Sequence, residues 1–145
     1  MSDYIIEEFY EEMKNVNFDV YGILDSSNKI HTLGTDSKLI GRIFEMYTEP
    51  VLQKIAKKHG LVLLTPDKQN FYPDFIMMEE GKPKTKIAID VKSSYVKTDN
   101  SSFVFTLGAF GSYMRDNSKN IVGDYSDYIK HYAICFTYKR NGRAQ

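Results

Sequence analysis

The sequence predicts an α/β (α+β) fold, a mixed central β-sheet flanked by helices, and three observations carry that prediction. Two segments with apolar residues at helical spacing occupy much of the first 60 residues. Short apolar runs separated by turn residues follow between Leu61 and Tyr138 and have the pattern of strands. No repeat, low-complexity tract or linker divides the 145 residues, so a single domain over 1–145 is expected.

The elements follow in order. Residues 3–14 set Ile6, Phe9, Tyr10 and Met13 at helical spacing, with Ser2 or Asp3 available as N-cap. Phe18 to Leu24 and Lys29 to Leu33 are strand-like runs around Asp25-Ser26-Ser27-Asn28, a hairpin signal. Thr35-Asp36-Ser37 caps a long helical pattern carrying Leu39, Ile40, Ile43, Phe44 and Tyr47. Pro50 is expected to kink or divide that helix, Val51 to Lys58 continues it, and Gly60 ends it. Leu61 to Leu64 is a buried strand, and Thr65 to Asn70 a polar loop. Phe75 to Met78 and Lys86 to Lys92 are strands joined by Glu79-Glu80-Gly81-Lys82-Pro83-Lys84. A strand at Phe103 to Leu107, a helix near Ala109 to Asp116 and a strand at Tyr132 to Tyr138 complete the layout.

Composition narrows the function classes. With 19 basic and 19 acidic side chains the formal net charge is zero, which argues against a general polyanion-coating protein. A nucleic-acid enzyme stays open, because phosphate affinity depends on where the bases cluster. They gather at Lys82 to Lys97 and Lys139 to Arg143, while acids dominate the first helix, an arrangement that permits a basic cleft. The single cysteine, Cys135, cannot pair within the chain, and its apolar setting predicts a buried structural thiol. That fits a reducing cytoplasm. No apolar stretch approaches the roughly 20 residues needed to span a membrane, and no export signal is visible.

The chemistry-bearing residues are Pro73-Asp74 and Asp90-Val91-Lys92. Side chains alternate along Ile87 to Lys92, so Ala88, Asp90 and Lys92 share one face and Ile87, Ile89 and Val91 the other. If the strands around Phe75 and Ile89 form an antiparallel hairpin, the midpoint of 74 and 90 is residue 82, inside the predicted turn. Asp74 then faces Asp90, with Cα atoms roughly 4.5–5.5 Å apart. Two such carboxylates repel unless a cation lies between them. Mg²⁺ suits that position, since it takes few carboxylates and keeps its waters. Lys92 beside it can offset charge developing on a phosphate. The bland reading, an Asp-x-Lys on a solvated strand, is weakened because Asp90 interrupts a strongly apolar run.

At these residues the chain resembles the PD-(D/E)xK nucleases and, within them, the EcoRV-like type II restriction endonucleases. The resembling stretches include Gly34 to Lys38, Ile43-Phe44-Glu45, Lys54 to Gly60 and Gln69 to Phe75. Others are Lys86 to Lys92, Phe105 to Gly108 and Asn117 to Val122, so the likeness runs from near residue 18 to near residue 138.

The resemblance implies a restriction-endonuclease-like fold and a role for each matching residue. Asp74 and Asp90 would bind Mg²⁺, Lys92 would be the catalytic lysine, and Glu45 an accessory carboxylate near the metal. Gln69 and Asn70 would touch DNA in the minor groove. Lys38, Ser94, Ser112, Asn117 and Lys119 would position the backbone through phosphates; Gly111 stands where a hydroxyl residue is expected. Family members are homodimers that cut double-stranded DNA at a palindrome, GATATC to blunt ends in the best match, beside a cognate methyltransferase. The segment 18–33 would be a dimerisation hairpin.

Family members extend well beyond residue 145, so the fold is expected to be shortened at its C-terminus and to lack the part that reads bases in the major groove. The alternative function is therefore a truncated, non-catalytic DNA-binding remnant.

Overall fold

The computed structural model describes residues 3–68, 71–97 and 121–140. Helix α1 (Tyr4–Met13) packs on α2 (Ser37–Lys58), and a small hairpin, β1 (Ile23–Leu24) with β2 (Ile30–His31), stands between them in sequence. The main sheet contains β3 (Leu61–Leu64), β4 (Phe75–Glu79), β5 (Lys86–Tyr95) and β6 (Tyr128–Tyr138), in that spatial order. β3, β4 and β5 pair antiparallel, whereas β5 and β6 pair parallel, so the sheet is mixed as expected. The expected strand at 103–107 and helix at 109–116 lie outside the described residues, as do Gln69, Asn70, Ser112, Asn117 and Lys119.

α2 holds the core together. Asp36 accepts hydrogen bonds from the backbone N–H groups of Lys38 and Leu39, which satisfies two orphan donors of the first turn. Asp36→Ala is expected to cost about 1 kcal/mol, seen as a lower urea midpoint with an unchanged slope. At the far end Gly60 adopts φ +67°, the left-handed conformation that stops a helix cheaply.

Pro50 does not divide this helix; α2 runs as one element through it. Pro50 and Met46 are both exposed, so the Met46 carbonyl that loses its usual donor faces water. On the opposite side Phe44, Thr48, Leu52 and Ile55 form a buried stripe that continues through both halves. Thr48 satisfies its own buried hydroxyl on the Phe44 carbonyl, 2.8 Å away.

Strand alternation sorts the apolar residues onto two faces. Phe75, Met77, Ile87 and Ile89 meet Leu52, Ile55, Ile5 and Phe9 in the principal core beneath the helices. Ile76 and Ala88 point the other way and join Tyr72, Ile121 and Tyr128 in a smaller cluster. Asp90, two residues on from Ala88, belongs to this second face.

Four further expectations are corrected. α1 buries Ile5 and Phe9 and leaves Ile6 and Tyr10 exposed. Its sequence offers two apolar stripes one residue apart, and cross-helix pairs select between them: Glu12 with Lys54, and Glu8 with Lys58 and His59. Asp3 stands at the N-cap position without a capping bond; its carboxylate binds Lys130 and Tyr132 of β6 instead.

Cys135 is exposed rather than buried, because strand alternation turns Ile134 and Phe136 toward the helices and leaves Ala133 and Cys135 on the open face. The first hairpin is also much shorter than the runs 18–24 and 29–33, since only two residues per strand find partners.

Candidate functional site

The site lies where β4 and β5 leave their shared turn behind. Their register pairs Phe75 with Ile89, Ile76 with Ala88 and Met77 with Ile87. The indices of each pair sum to the same value as 74 and 90, so the hairpin has the register expected from its turn. Asp74 and Asp90 accordingly come together one step beyond the Phe75–Ile89 pair.

Asp74 is fixed from two sides. Its Oδ2 accepts a 2.7 Å hydrogen bond from the backbone N–H of Val91. Its carboxyl group also lies beside that of Asp90, close enough for the two charges to repel. The segment before it is anchored by Tyr72, which is buried and whose hydroxyl lies 3.0 Å from His131 Nδ1.

Burial, then the charge of Asp90, push the Asp74 carboxyl from an ordinary 3.8 up to about 8. The backbone bond from Val91 opposes that rise, and Glu45 adds to it. Two carboxylates in one poorly solvated place thus favour holding a proton between them.

Asp90 is only 7% exposed, and its Oδ2 is buried and accepts no hydrogen bond. The ammonium of Lys92 stands against that oxygen as an ion pair. Lys92 and Asp90 share a strand face, as alternation requires, and β6 continues that face with Ala133 beside Asp90 and Cys135 beside Lys92. Partial burial pushes the Cys135 thiol upward, with Lys92 acting against the shift.

A divalent cation fits this donor set. The repulsion within the buried pair is relieved by a hard cation with oxygen ligands. Among the described residues no three His, Cys, Asp or Glu side chains converge into a full metal cage. Mg²⁺ commonly binds through one or two carboxylates, completing its shell with water and substrate phosphate.

The remaining expected residues are placed as follows. Glu45 lies on α2 close enough for its charge to act on Asp74, and its Oε2 receives Arg42 Nη1 at 2.9 Å. Lys38 is exposed on the first turn of α2, and Ser94 is half-buried on β5, on the face of Lys92. Of the basic run from Lys82, Lys92 stands in the site, but Lys82 and Lys86 do not join it. Lys82 pairs with Glu79, and the buried Lys86 lies near Asp127. Lys86 stands six strand residues, roughly 20 Å, from Lys92. Sequence reasoning overlooked Arg42, although its i,i+3 spacing to Glu45 was a readable signal. The Val91 amide that orients Asp74 carries no sequence signal.

Comparison with known proteins adds to this geometry. A family model described as restriction endonuclease EcoRV matches residues 14–145. The type II restriction enzyme EcoRV of Escherichia coli is 42% identical to this chain over 136 residues, which cover 94% of the chain and 55% of that enzyme. The chain thus spans about half the length of the curated relative it matches.

Proposed function

The chain belongs to the EcoRV restriction endonuclease family, and from that premise we propose that it is the catalytic portion of a type II site-specific deoxyribonuclease. Its reaction is Mg²⁺-dependent hydrolysis of phosphodiester bonds in double-stranded DNA. The observation that carries this reading is the mutually repelling Asp74–Asp90 pair, poorly solvated and with the Lys92 ammonium against Asp90.

Asp74 and Asp90 would hold the ion, with Glu45 as accessory carboxylate. A bound Mg²⁺ supplies a Lewis acid that polarises the phosphoryl oxygen and acidifies water. The protein's own part is positional. The Val91 amide keeps one Asp74 oxygen turned toward the backbone, which orients the other outward. Lys92, held by Asp90, brings a positive charge to where negative charge grows on phosphorus as water adds and the leaving oxygen departs.

Lys38 and Ser94, with Gln69, Asn70, Ser112, Asn117 and Lys119, would contact the duplex. A homodimer acting on a palindrome, GATATC by analogy, follows from the family. The hairpin region 18–33 suits such an interface, since Tyr21, Ile23, Leu24 and Ile30 are exposed. Phe18 anchors it by packing on Tyr47 and Phe136. A cognate methyltransferase and a cytoplasmic location belong to the same proposal; no helix among the described residues is long and apolar enough to cross a membrane.

The test is incubation of purified protein with supercoiled plasmid and MgCl₂. Discrete nicking or linearisation that EDTA abolishes is the expected outcome. Failure to cut by a protein with a cooperative melting transition would favour the second reading, a DNA-binding remnant without catalysis.

A further inference from the structure

The Arg42–Glu45 pair occupies an unusual place. It is an i,i+3 ion pair on α2 with Nη1 2.9 Å from Oε2, and the arginine side chain is 56% exposed. Surface pairs of this kind are ordinarily decoration. This one ends on the carboxylate whose charge acts on Asp74. Arg42 also stands one turn after Lys38, on the same helix face and four residues along. The guanidinium is therefore solvent-exposed and held on the one carboxylate of α2 whose charge acts on Asp74.

Charge counting shows what this does. Asp74 and Asp90 form the site's acidic pair and Glu45 adds its charge from α2 without converging on them among the described residues, while Lys92 pairs with Asp90 and Arg42 with Glu45. Arg42 thus cancels a carboxylate that would otherwise attract a divalent cation. We propose that Arg42 is a phosphate-responsive gate on Glu45, neutralising it in the DNA-free protein and releasing it when a DNA phosphate takes the guanidinium. This rests on the nuclease reading and deepens it.

The competition favours the exchange. An exposed helix-surface pair holds its members by only about a twofold factor, whereas guanidinium and phosphate form a planar, two-bond, charge-assisted contact. Release of Glu45 then raises the attraction of the site for metal only once substrate is present. By linkage, metal strengthens DNA binding by the same factor. A protein so built holds its cation weakly when no DNA is bound.

Arg42→Gln separates this role from a structural one, because it should move two affinities in opposite directions. Mn²⁺ is titrated calorimetrically into wild-type, Arg42→Gln and Asp90→Ala proteins without DNA. A fluorescent duplex is then titrated with the same proteins in EDTA at several salt concentrations. Arg42→Gln is expected to bind Mn²⁺ about twofold to fivefold more tightly. It should bind DNA several-fold more weakly, with a salt slope shallower by about one.

Arg42→Lys, which keeps the charge but loses the two-bond contact, should restore the salt slope and only part of the DNA affinity. Metal affinity that is unchanged or lower in Arg42→Gln, while wild-type binding still depends on Asp90, overturns the gate and leaves the nuclease reading intact. Mn²⁺ uptake that Asp90→Ala leaves unaltered overturns both.

Discussion

Asp90→Ala is expected to reduce Mg²⁺-dependent plasmid cleavage at least a thousandfold without unfolding the protein. The size follows from losing two functions at once. Asp90 is one of the two carboxylates available to hold the ion, and its Oδ2 is also the group against which Lys92 is placed. Loss of a single preorganised electrostatic contact commonly costs about 10²–10³ in rate, and here metal retention falls as well.

The stability effect of that substitution is the difference of two opposing contributions. The ammonium of Lys92 loses its ion-pair partner, which is unfavourable for a side chain only 21% exposed. Against this, the Asp74 carboxyl loses the neighbour that repels it and falls back toward the usual carboxylate range. A shift in melting temperature of only a few degrees is therefore expected beside the collapse in rate. Residual cleavage above about a tenth of wild type would remove Asp90 from the reaction.

How much of this was legible in the sequence depends on whether the information was local. The Phe75–Ile89 register could be read because the turn at Glu79 to Lys84 sets the sum of paired indices, and a slip by one would turn Asp90 onto the helix-covered face. The Asp36 cap and the Gly60 stop are equally local, and both stand where the pattern placed them.

What failed was decided at a distance. The buried stripe of α1 was chosen by ion pairs to α2, some 42 to 51 residues away. Cys135 was misplaced because an apolar run suggests burial on both faces, whereas among the described residues the helices cover the face of β6 opposite Cys135. Pro50 breaks a helix by local rules, yet a continuous buried stripe on the opposite side overrides them. The parallel pairing of β5 with β6 joins strands more than thirty residues apart in sequence, and no local pattern announces it.

The same pair makes a second strong prediction, this time for stability. Asp74→Asn should abolish cleavage and yet make the metal-free protein more stable at neutral pH, by about 1–3 kcal/mol once partial solvent access is allowed for. The sign follows from linkage. The folded state raises the Asp74 pKa above its ordinary 3.8, so folding favours the protonated form. The stability this contributes is complete below pH 3.8 and is lost progressively as pH rises toward about 8.

Asparagine keeps an oxygen that can accept the Val91 hydrogen bond and carries no charge to be repelled. At about 2–4 °C per kcal/mol for a chain of this size, the melting temperature should rise several degrees at pH 8 and scarcely change at pH 4. Added Mg²⁺ should then stabilise the wild type at pH 8 by mass action and leave Asp74→Asn unmoved. A variant that melts lower than wild type at pH 8 in EDTA would mean that the pair is not strained without its cation. The case for a metal held between Asp74 and Asp90 would lose its physical basis.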